Sequence, residues 1–147
     1  MEPNRYLVYS SICISFPGII FFSKGEYPQA SISFLCCFFS ILWHSTKPRY
    51  PTILIIDQVC AYMTAALAIH QAARTLPYSL IPLSSFIGYP LIIYHLGNRY
   101  SCFSFDPDLD TATRWHMSIH ILNGITAAIM AKFDPSPTPY KLQNVYT

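Results

Sequence analysis

Two histidines four residues apart, His116 and His120 in RWHMSIHILNG, are the residues of this chain whose type and spacing first suggest chemistry. Residues four apart share one face of a helix, so both imidazoles project the same way. A helix can grip a transition metal with such an HxxxH pair. A third histidine, His44, follows Ser40 by four residues in SILWHST, and a lone carboxylate, Asp57, interrupts the apolar run TILIIDQVC. Three neutral imidazoles with one open position form the donor set of catalytic zinc, on which a water titrates at about pH 7. A carboxylate beside such a site can take that water's proton and deliver it to a leaving group. A serine hydroxyl can hydrogen-bond an oxyanion or orient the water. These parts imply a hydrolase.

The elements that must position them are apolar. Of the 147 residues, 52% are hydrophobic and 11% charged, against roughly 25% charged in an ordinary soluble domain. About 20 residues of helix cross a hydrocarbon core, and five stretches have that character. The first is Tyr6 to Ser23, interrupted by Pro17-Gly18 and closed by KGE. The second, Pro28 to His44, is ended by STKPRYP, whose prolines cannot continue a helix. Thr52 to Ala72 makes a third, with Arg74 and Pro77 beyond it, and Pro77 to His95 a fourth. A long polar connection leads to the fifth, Thr113 to Ala131, with Asp110 or Thr111 as its expected N-cap. The expected fold is therefore all-α, a polytopic transmembrane bundle of about five helices over residues 1–131. Residues 132–147 follow as a flexible polar tail with three prolines. The first stretch lacks the basic start and small-residue cleavage site of a signal peptide and reads as a helix.

Five crossings put the two ends of the chain on opposite faces of the membrane. The N-terminal face then holds Arg5, Lys47, Arg49, Arg99 and Arg114, and the other face Lys24, Arg74, Lys132 and Lys141. That balance leaves the orientation open under the positive-inside rule. Depth is more informative. The second stretch ends at the N-terminal face, which puts His44 near that surface and Ser40 one turn deeper. The third starts there, so Asp57 lies about five residues in, roughly 8 Å by helical rise. The fifth starts there too, and His116 and His120 lie one and two turns down. Three helices thus bring five polar side chains to one level.

Each residue also has an ordinary reading. A histidine near a helix end commonly snorkels or donates to a carbonyl, an ordinary reading that fits His44, His70 or His95 taken singly. The HxxxH pair can be a polar stripe facing the bundle interior. Asp57 is harder to explain that way, because a carboxylate in a spanning helix costs about 2.5–3.5 kcal/mol even on lenient insertion scales. The cysteines Cys13, Cys36, Cys37, Cys60 and Cys102 show no ligand spacing and act mostly as small apolar residues. Asp106, Asp108 and Asp110 read as a solvated loop and helix cap.

Ser40-x-x-x-His44-x-Thr46, then Arg49-Tyr50 and Asp57, and finally HMSIHILNG (His116 to Gly124), resemble the alkaline ceramidase family. More widely they resemble the membrane hydrolase superfamily of alkaline ceramidases, progestin/adiponectin receptors and GPI-lipid remodelling proteins. The resemblance covers about 18 residues of the second and third stretches and about 10 of the fifth, matching in type, order and depth. It implies His44, His116 and His120 as Zn2+ ligands, with Asp57 and Ser40 assisting the water and the developing oxyanion. The implied activity is hydrolysis of a lipid amide or ester, ceramide being the first expectation, in an endomembrane such as the ER or Golgi. The family has seven helices where this chain has room for five. Two helices that would help wall the lipid pocket, between Asp57 and the HxxxH, are thus expected to be missing, which leaves room for a homo-oligomer. MEPNRY offers a single Glu2 where the ceramidases carry an acidic calcium-binding segment.

Two other classes compete. A non-catalytic lipid-binding or receptor-like membrane protein would keep the metal site without turnover. A haem or proton-handling protein would use His44 and His116 across facing helices, but would leave Asp57 without a role. Di-iron chemistry needs more histidine clusters than five histidines supply. Nucleic acid is not an expected partner, since the net charge is only +2 and the basic residues are scattered.

Overall fold

A computed structural model describes residues 4–46 and 50–135, and its architecture follows from where the chain can and cannot remain helical. Helix α1, Arg5–Ser23, tightens to a 3-10 turn over Ile12–Ser15 before resuming at Phe16–Ser23. Pro17 has no N–H to give the carbonyl four residues back and its ring crowds that carbonyl, so the backbone tightens just ahead of it. Gly25, at φ +77°, turns the chain into α2, Tyr27–Thr46. Helix α3, Pro51–Thr75, opens with proline at its first position, where the missing N–H has no intrahelical partner to lose. Helix α4 is Leu80–Tyr100, ended by Ser101 in the left-handed conformation with its N–H on the Gly97 carbonyl. Helix α5, Leu109–Phe133, completes the bundle. Among the described residues there is no strand.

The observed helices differ from the expected ones at their ends. Helix α4 starts at Leu80 rather than Pro77, and α5 starts four residues before Thr113. The N-cap of α5 is Asp108, not Asp110 or Thr111. Its extended backbone lets the carboxylate accept from the N–H groups of Asp110 (3.3 Å) and Thr111 (3.2 Å) and from the Thr111 hydroxyl (2.6 Å). At the other end the bundle continues past residue 131, through Phe133 to a buried Asp134. The rest of the expected tail, 136–147, and Lys47 and Arg49 lie outside the described residues.

Helix α1 packs against both α2 and α5, α3 lies mainly on α2, and α4 lies mainly on α5. Helices α3 and α4 meet only lightly. Among the described residues, no Cα of α2 comes within 8 Å of one in α5, so α1 fills the groove between them. The apolar core occupies one half of this arrangement. Ala68, Ala72, Phe86, Ala127 and Met130 form one cluster and Phe21, Ala30 and Ala131 another. Alanines there allow the close backbone approach that association in lipid relies on. Lys24 fastens that end, donating from Nζ to the carbonyls of Ala131 (2.7 Å), Asp134 (2.8 Å) and Lys132 (3.1 Å), a cation placed on the negative end of a helix dipole.

Three helices, Arg5–Ser23, Pro51–Thr75 and Leu80–Tyr100, are long and apolar enough to cross a membrane. Helices α2 and α5 have 20 and 25 residues but are diluted by serine, threonine and histidine. Several of these polar residues face the interior: Ser33, Ser40 and His44 on α2, and His120 and Thr126 on α5, are all buried.

Candidate metal centre

The half of the bundle without the alanine core holds a cluster of three histidines. His44 is in the last turn of α2, and His116 and His120 lie two and three turns into α5. Their rings are mutual neighbours. Centroids are 5.1 Å apart for His44 and His116, 5.2 Å for His44 and His120, and 4.8 Å for His116 and His120. One nitrogen from each lies within 4.8 Å of the other two. His44 is 1% exposed and His120 7%, while His116 is half-buried. The three imidazoles span a gap between two helices whose backbones do not touch.

This donor set fits zinc. Zn–N bonds of about 2.0–2.1 Å in a tetrahedron put ligand nitrogens about 3.3 Å apart, so small ring movements would close these three on one ion. Two of the ring pairs pack edge to face and the third, His44 with His120, is tilted, so with centroids about 5 Å apart no slot for a porphyrin plane lies between His44 and His116. His70 and His95 are exposed on α3 and α4.

Behind the rings lie polar partners that sequence reasoning did not single out. His120 Nδ1 is 3.0 Å from Ser10 Oγ and 3.3 Å from Ser11 Oγ, both on α1. Ser11 Oγ is in turn 3.0 Å from Ser40 Oγ. His116 Nδ1 is 3.5 Å from the hydroxyl of Tyr94 on α4. Both Nδ1 atoms thus have outer partners, the arrangement by which surrounding residues orient metal-bound histidines. The signal that could have brought α1 to this site is Gly124, one turn below His120 on the same face. A Cβ there would strike the Cys13 carbonyl and lie 2.6 Å from its carbon. Only glycine lets the 3-10 turn of α1 rest on the α5 backbone, and that contact carries Ser10 and Ser11 to the imidazole.

Of the residues expected from sequence, Ser40 and the three histidines therefore share one connected cluster. Asp57, half-buried in α3, lies within electrostatic reach of Cys36, Cys60 and the Tyr94 hydroxyl. Tyr94 links that carboxylate's surroundings to His116. Phe105, from the loop that follows α4, packs edge-on against Tyr94 at 5.8 Å, and Phe103 against Trp115 at 4.8 Å, so the loop closes over this end. No family model, curated protein or solved structure matches the chain.

Proposed function

We propose that this chain is an integral-membrane, zinc-dependent hydrolase that cleaves an amide or ester bond of a lipid, a ceramide-like amide first, in an endomembrane such as the ER or Golgi. The observation that carries the reading is the convergence of His44, His116 and His120, three nitrogen donors within 4.8 Å of one another at one end of an apolar bundle. These three residues would hold the ion, and zinc bound there would polarise a scissile carbonyl and lower the pKa of water to about 7. Asp57 takes the proton of the attacking water on a carboxylate oxygen and returns it to the leaving nitrogen or oxygen. Water is thereby added across the acyl bond, giving a fatty acid and an amine or alcohol. Ser40, one turn from His44, orients the water. A site at the end of the helices suits a substrate whose chains stay in the hydrocarbon while its scissile bond lies near the headgroups.

Metal analysis of detergent-purified protein beside the His116→Ala/His120→Ala variant tests the proposal. The wild type should retain zinc and release fatty acid from ceramide, and the variant should do neither. Zinc content unchanged in the variant ends the reading. The light contact between α3 and α4 favours a second reading at one point, because it leaves the site thinly walled, as in a lipid-binding or receptor-like protein that keeps the metal without turnover. Incubation with lipid extracts separates the two: product release supports the hydrolase, and saturable binding without product supports the receptor.

A further inference from the structure

Nδ1 of His120 is held by two hydroxyl oxygens of α1, Ser10 Oγ at 3.0 Å and Ser11 Oγ at 3.3 Å. Both hydroxyls also lie within donating distance of the Leu7 carbonyl, at 3.1 and 2.8 Å, so each can turn its hydrogen to its own helix and still accept from a ring N–H through its lone pairs. With Nδ1 engaged by the serines, Nε2 is the nitrogen that can serve an ion, and a neutral imidazole that gives its Nε2 lone pair to a metal carries its hydrogen on Nδ1. Ser10, Ser11 and His120 are 5%, 0% and 7% exposed, and at that burial a contact without a hydrogen is costly.

We propose that Ser10 and Ser11 of α1 are positioning residues for the metal centre: their oxygens accept the Nδ1–H of His120 and fix the neutral tautomer in which Nε2 is the nitrogen offered to the ion. This rests on the metal-site reading above. Helix α1 contributes no ligand, yet it sets which nitrogen binds and how the ring is turned, as outer-shell partners of metal-bound histidines do.

The test uses full-length protein, labelled with 15N at histidine and loaded in detergent with 113Cd as a spin-active stand-in for zinc. The expected result is cadmium–nitrogen coupling to Nε2 of His120, with a proton on its Nδ1. Ser10→Ala/Ser11→Ala should weaken metal binding by about 10- to 100-fold, the usual effect of removing such a partner. Ser15→Ala, a half-buried α1 serine bonded to its own helix carbonyl, should leave binding unchanged. Coupling to Nδ1 of His120, or a double variant that folds and binds cadmium as tightly as wild type, overturns the inference while the metal site stands. If the double variant does not fold, the wild-type spectrum still decides. Failure of the wild type to retain cadmium or zinc overturns both this inference and the reading beneath it.

Discussion

At the scale of single residues, Asp57 and Asp108 are two carboxylates with opposite surroundings. Asp57 is half-buried inside the bundle among thiols and a tyrosine, where a carboxylate is retained for a partner or a reaction. Asp57→Asn keeps the shape and removes the carboxylate proposed above as the base. It should lower lipid hydrolysis by about 10²- to 10⁴-fold with zinc content unchanged, as turnover and metal analysis on the same preparation would show. Asp108 is fully solvated. The Thr111 hydroxyl, and behind it the N–H groups of Thr111 and Asp110, hold its carboxyl below the usual carboxylate range. A pKa depressed by folding contributes stability that is present above the ordinary carboxylate pKa and lost as pH falls through the folded value. The start of α5 should therefore fray in acid. Hydrogen exchange at the Asp110 and Thr111 amides should accelerate relative to the helix centre below about pH 4, and Asp108→Asn should flatten that dependence.

At the scale of the elements, the packing of α1 on α5 depends on what is missing from Gly124. Glycine to alanine inside a helix ordinarily gains about 0.5–1 kcal/mol in backbone entropy. Here the added methyl meets the Cys13 backbone, which cannot swing aside as a side-chain tip can, and overpacking of this kind costs about 1–3 kcal/mol. Gly124→Ala should therefore lower the thermal unfolding midpoint and, by lifting Ser10 and Ser11 from His120, weaken zinc binding as well. Gly88 is a matched control, since its added Cβ would have nothing within 4 Å. Gly88→Ala should leave both quantities unchanged or raise stability.

At the scale of the whole molecule, the bundle divides into an alanine-rich core at one end and the polar cluster at the other, with large apolar side chains outward on α3 and α4, among them Ile55, Tyr62, Ile81 and Leu91. Cysteine chemistry can read this division. Cys36, Cys37 and Cys60 are buried, whereas Cys102, just after α4, is half-exposed in the loop at the histidine end. A water-soluble maleimide added to membranes should label Cys102 from one side only and reach the buried three only after denaturation. Prompt labelling of Cys36 or Cys60 in the folded protein would contradict the packing of α2 against α3.

The five helices were legible in the sequence because spanning length, charge-free runs and proline punctuation are local properties. Their ends moved where a side chain chose the boundary, as Asp108 did by capping α5 ahead of the residues expected to do so. His44, His116 and His120 were also legible as a set, since helical periodicity fixes which residues share a face and alternating direction fixes their depth. The role of α1 was not. Ser10 and Ser11 are ordinary residues in an apolar helix until the small face at Gly124 brings them to an imidazole, and Tyr94 belongs to the site only through the way α4 lies on α5. By itself the sequence determined what each helix carries and at what level. Tertiary structure alone decided which helix stands behind which ring, because lateral contacts depend on the shape of two surfaces at once and no single stretch of chain encodes both.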